Sequence, residues 1–201
     1  MPSILQRLHL LVLLLAFTTT AAQQYTYKAR YDSLDTRHDL SRPLIERYFI
    51  TANHGAACFN LGLMEEIRVS AKEELALAEQ LGIDTLLSTA SNHVGDALNG
   101  SAEAALQLKY FYQGLDYAQR SGNANFIGTA QKQIATVYKT LGDLPRALEL
   151  LKLALSNVRS DYQINRTCCH LSDCYRLMEQ PDSALYWAQR SNIITDPGSD
   201  P

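Results

Sequence analysis

Helix-breaking residues are scarce in this chain: ten glycines and six prolines among 201 residues, mostly placed between apolar segments. That distribution points to helices joined by short turns. Nowhere is there the run of roughly 20 apolar residues that a membrane span needs. The apolar run Leu8 to Phe17 covers about half that length. Positive charge is also short, with 18 Lys and Arg against 21 Asp and Glu and a net charge of −3. No basic stripe or tail is present, which argues against nucleic acid as a partner. No serine sits in a glycine elbow, no cysteine–histidine pair has an orienting partner, and no glycine loop could cradle a phosphate. The chain is therefore read as non-enzymatic and free of cofactors.

What is present begins at the N-terminus. Met1 to Arg7 carries one positive charge, Leu8 to Phe17 is apolar, and three threonines lead to Ala21-Ala22-Gln23. A basic lead, a short apolar core and a small-residue exit predict a secretory signal peptide over residues 1–22, with cleavage after Ala22 or Gln23. The sequence thus predicts an exported protein, periplasmic or secreted, whose mature chain has no membrane span. Residues 23–41 read as a polar leader and residues 196–201 as a disordered tail.

Between these ends the sequence repeats itself. Leu75, Leu115 and Leu155 stand forty residues apart, as do Ala78 and Ala118, and Gly82 and Gly122. A fixed interval of this length predicts an all-α solenoid in which each helix pair buries its apolar face against its neighbours. The clearest unit places Ile134, Ala135, Tyr138 and Leu141 at helical spacing, breaks at Gly142-Asp143, and resumes with Ala147, Leu148, Leu151, Ala154 and Leu155. Pro145 is tolerated in the first turn because its missing N–H has no intrahelical acceptor there.

This unit resembles a tetratricopeptide repeat. Counting from Gly128, the family consensus falls on Ile134, Ala135, Tyr138, Gly142, Asp143, Ala147, Leu151 and Ala154; Gln131 and Arg159 depart from it. The forty-residue period exceeds the family's usual thirty-four. It is similar to the exported, sensor-associated repeats of bacteria, whose separator reads here Ala118-Gln119-Arg120-Ser121-Gly122-Asn123. The resemblance implies a right-handed superhelical solenoid over residues 42–195. About four antiparallel pairs are expected, near 43–81, 83–121, 124–159 and 163–194. The first is degenerate, with Cys58 where the family has an aromatic residue. Ser101 is the expected N-cap of the second helix in the second pair.

The only grouping of metal-ligand residue types is Cys168-Cys169-His170 with Cys174. His170 and Cys174 share a helix face, but a structural zinc site needs four ligands. Cys168 and Cys174 are badly placed for a disulfide. Cysteine here reads as a small apolar packing residue and no metal is expected. The disulfide state of Cys58, Cys168, Cys169 and Cys174 stays open. His54 and His93 read as a repeat echo, and the glycosylation patterns at Asn99 and Asn165 as chance.

The resemblance also implies a partner-binding groove lined by the first helix of each pair. Its predicted lining is Thr89, Asn92, Asp96 and Asn99, then Thr129, Lys132, Thr136 and Lys139, then Arg166, Cys169, Asp173 and Arg176. Such a lining suits an extended protein segment or peptide held through its backbone and carboxylates. The expected function is a binding scaffold, with self-association through the terminal repeat as a further expectation. The alternative is the periplasmic sensor portion of a bacterial signalling regulator of the sensor-kinase type, separated from its output module.

Overall fold

The structure, a computed structural model, describes residues 39–98 and 101–195. The signal peptide, most of the polar leader, Asn99 and the tail lie outside the described residues. Among the described residues eight α-helices follow one another: α1 (Leu44–Leu61), α2 (Met64–Leu81), α3 (Asp84–Ala97), α4 (Ala104–Ser121), α5 (Ala124–Thr140), α6 (Leu144–Asn157), α7 (Asp161–Leu177) and α8 (Pro181–Thr195). No strand occurs among the described residues. The chain is an all-α solenoid of antiparallel helix pairs, as the repeat predicts.

Several helices end at a left-handed residue, whereas α3 and α6 end at extended Leu98 and Val158. Gly122 closes α4 with φ 67°, and Gly142 follows α5 with φ 82°. Both lack the Cβ that makes this conformation costly. The turn after α7 has no glycine and uses Glu179 at φ 58°. The starts are capped as the polar residues before them predict. Asn123 accepts from the Asn125 N–H, Asp143 from that of Arg146, and Ser160 from that of Gln163. Ser101 is different: a 3-10 turn runs Ser101–Glu103, and α4 begins at Ala104 with no side-chain cap.

The chain divides into two compact units, one ending at Leu77 and the other starting at Ala78. The core of the first is unusually polar. Tyr48, Thr51, His54 and Cys58 of α1 are buried, as are Ser70 and Glu74 of α2. His54 Nδ1 lies 2.7 Å from Ser70 Oγ and 3.5 Å from Cys58 Sγ. The Tyr48 phenol is held strongly protonated by burial and by the Glu74 carboxylate to which it hydrogen-bonds. His93, by contrast, is exposed on α3. The two histidines share a repeat position but not an environment.

The second unit contains the pairs α3/α4, α5/α6 and α7/α8. Ala135, Ala147, Leu148, Leu151, Leu171 and Cys174 form one buried cluster, and Ala104, Phe111, Ile134 and Val137 another. Tyr138 and Leu150 pack against both, which joins the pairs into one continuous core. Small residues set the helix separations. A Cβ on Gly128 would stand 2.6 Å from Val158 Cγ1 and 2.9 Å from the Ala154 carbonyl oxygen. A Cβ on Gly114 would meet Asn92 Oδ1 at 2.7 Å, and one on Gly95 would enter the Phe111 ring.

Candidate functional site

The first helices of these three pairs, α3, α5 and α7, are bridged by polar side chains. The Gln133 amide of α5 donates to both carboxylate oxygens of Asp96 on α3, at 2.6 and 2.7 Å. Lys132 Nζ donates to Gln163 Oε1 on α7 at 2.8 Å. Lys139 Nζ reaches Asp173 Oδ2 at 3.1 Å and His170 Nδ1 at 3.4 Å, both on α7. Arg176 adds a longer pairing with Asp173 at 3.8 Å. Arg166 donates to the Tyr162 hydroxyl at 2.9 Å and lies over that ring. Residues 162, 166, 169, 173 and 176 recur at helical spacing, so Tyr162, Arg166, Cys169, Asp173 and Arg176 share one stripe of α7.

The expected lining residues are not alike in placement. Arg166, Cys169 and Arg176 are exposed, and Thr136, Lys139 and Asp173 half-buried. Lys132 is only 4% exposed, its stem packed and its ammonium held by Gln163. Asn92, 5% exposed, faces Gly114 of α4 and is not presented to solvent. It occupies the space that the missing Gly114 side chain leaves. Thr89, Thr129 and Thr136 each donate a hydroxyl to a carbonyl one turn back in their own helix. Gln133, Gln163 and His170 were not in the predicted lining, yet they carry the bridges between helices. Tyr162 lies one turn before Arg166, and that spacing was available as a signal.

Burial and mutual repulsion set the protonation states. Lys132 has its pKa lowered to about 8, first by desolvation and then by Arg166, with Asp96 opposing. His170 is lowered to about 4, by desolvation and then by Lys139, Lys132 and Arg166, against a smaller opposite pull from Asp173. Water reaches the Asp96 carboxylate, but protein surrounds it closely enough to solvate its charge poorly. Its pKa rises to about 6, with His93, Lys132, the Gln133 amide and Arg166 opposing. The face therefore carries Lys132, Lys139, Arg166 and Arg176 against Asp96 and Asp173, and a neutral imidazole at neutral pH.

Three of the four cysteines are packed in the interior. All four are free thiols, with Cys58, Cys168 and Cys174 buried and Cys169 exposed. Burial raises the pKa of Cys168 and of Cys174. Among the described residues no three His, Cys, Asp or Glu side chains are grouped to hold a metal. Nor, among them, is any helix long and apolar enough to cross a membrane. At the Asn165 glycosylation pattern, the Asn165 amide donates to the Ser191 carbonyl at 2.7 Å and Thr167 is fully buried, so that site is closed in the folded chain.

No family model matches the sequence, and no curated protein matches it. The fold is similar to several solved structures. BtubC (BKLC) from P. vanneervenii superposes with a TM-score of 0.65 at 15% identity, over 91% of this chain and 76% of that one. The apo form of RapI superposes with a TM-score of 0.68 at 17% identity, over 89% of this chain but only 52% of its own. Nearly identical TPR-like repeats assigned to a kinesin light chain of Podosopora anserina superpose with a TM-score of 0.61 at 13% identity, over 93% of this chain and 94% of theirs. At these identities the likeness is one of fold: the chain has the tetratricopeptide-like architecture.

Proposed function

We propose that this chain is an exported, non-enzymatic scaffold that binds a protein segment or peptide along the face of α3, α5 and α7. The observation that carries the reading is the charge arrangement of that face. Arg166 and Arg176 are exposed, Lys139 is half-buried, and Lys132 adds a buried ammonium behind them. Guanidinium groups pair with carboxylates in two-point geometry, while Asp96 and Asp173 offer acceptors to backbone N–H groups. An extended segment bearing carboxylates satisfies both sets.

The reading is tested with a rhodamine-labelled hexa-aspartate peptide, followed by fluorescence anisotropy, beside a hexa-lysine control. The acidic peptide is expected to bind and the basic one not to. Arg166→Glu with Arg176→Glu reverses two exposed charges and should weaken binding at least tenfold while the thermal melt stays nearly unchanged. Lys132 is unsuited to this role because a glutamate there would be buried without a partner. Acidic-peptide binding retained in the double variant would move the site off this face. Export is supported by the leader pattern of residues 1–22.

A further inference from the structure

We propose that binding of an anionic segment to this face is coupled to proton uptake by His170, so that the partner is held more tightly as pH falls. The inference rests on the proposed function and adds its regulation.

The geometry supplies the coupling. The Lys139 ammonium can only donate, so its approach to His170 Nδ1 at 3.4 Å requires an unprotonated nitrogen there. The imidazole is held neutral first by burial and then by its cationic neighbours. Charge reaches it from two helices: Lys139 and Lys132 on α5, and Arg166 on α7 itself, with Asp173 as the opposing carboxylate. The other two helices packed on α7 meet it through apolar Leu148 and Leu151 of α6, and through Trp187 and the Ala184 and Ser191 carbonyls of α8, which accept from Ser172 and Asn165. A carboxylate placed among Lys139, Arg166 and Lys132 cancels the part of this hold that the cations supply. The ring then accepts a proton and itself becomes a cation facing the ligand. By linkage, whatever raises the proton affinity of the bound state makes binding tighter in acid.

The size of the effect is set by two limits. Full return of His170 from about 4 to the ordinary value near 6.5 would raise affinity about tenfold between pH 7.5 and 5.5; because burial remains, this is the upper limit. Asp96 loses its negative charge in the same window and acts in the same direction. Variants separate the two contributions.

The experiment is titration calorimetry of the hexa-aspartate peptide at pH 7.5, 6.5 and 5.5, at fixed ionic strength. Each titration is run in two buffers of different ionisation enthalpy. Aspartate carboxyls, with an ordinary pKa near 3.9, stay almost fully ionised across this range. The full chain should bind tighter at pH 5.5 than at 7.5, by up to about tenfold, taking up protons from buffer. His170→Gln should lose most of that rise with little change in affinity at pH 7.5, and His170→Gln with Asp96→Asn should lose nearly all of it. A full rise in His170→Gln, or no net proton uptake by the unmodified chain, overturns the coupling while the binding reading stands. Absence of binding at every pH overturns the binding reading, and the coupling with it. Should His170→Gln fold poorly, NMR titration of the His170 ring with and without peptide decides: an unmoved pKa overturns the proposal.

Discussion

His170 shows how far one residue's chemistry depends on neighbours that are distant in sequence. In the chain it stands beside two cysteines and reads as a partial metal motif. In the fold its nearest charged partner is Lys139, 31 positions away. The same surroundings make a stability prediction. His170 has a folded-state pKa below its unfolded value, so the unfolded chain takes up a proton that the folded chain refuses between about pH 6.5 and 4. Its contribution to stability is therefore lost as pH falls through that window. Each pKa unit is worth about 1.4 kcal/mol, and partial contact with water reduces the whole to about 1–2 kcal/mol. Denaturant melts at pH 7.5 and pH 4.5 should show the unmodified chain losing about that much more than His170→Gln. Asp96 has the opposite sign, because its raised pKa favours the folded state as pH falls. It is common to both proteins and cancels in the comparison. Equal losses in the two would show that His170 is not held neutral.

At the scale of the helix, glycine and alanine decide which elements meet closely. Gly128 lets α5 approach the end of α6, where the Ala154 carbonyl is backbone and cannot swing aside. Gly128→Ala should therefore cost about 1–3 kcal/mol through overpacking, read as a fall in thermal midpoint. An unchanged midpoint would mean that the two helices are not so close. The helices themselves were legible from the sequence, because apolar spacing, Gly142, Asp143 and Pro145 all point to the same boundaries. Ser101 was misread because a serine can cap a helix or open a 3-10 turn, and tertiary packing around the segment decides between them. Asn92 and Lys132 stand forty positions apart and looked alike in the chain. Gly114 opposite Asn92 draws that side chain inward, whereas Gln163 holds Lys132 from the next pair. Neither partner can be read from helical spacing.

For the molecule as a whole, the repeat interval carried the architecture. Ala78 and Ala118 are both fully buried, and Gly82 and Gly122 both have left-handed backbones. The face of α3, α5 and α7 was legible as a set of positions, but its links through Gln133 and Gln163 were not. Glutamine at a helix surface gives no sign of whether it meets water or a neighbouring helix. Export belongs to this scale too, because it concerns the mature chain. Mass spectrometry of the protein recovered from a secreting host should find an N-terminus at Gln23 or Gln24, and an intact Met1 would refute the leader.

The close approach of α3 and α4 at Gly95 and Gly114 bears on how this unit responds to load. Where the Phe111 ring and the Asn92 side chain fill the space of absent side chains, the two helices have almost no slack. α5 and α7 share the buried cluster of Ala135 with Leu171 and Cys174, and are tied across the face by the long, jointed side chains of Lys132 with Gln163 and Lys139 with Asp173. Such ties behave as soft springs beside a stiff plate. A force that spreads the face is then borne by these jointed ties, while α3 with α4 moves as a single piece.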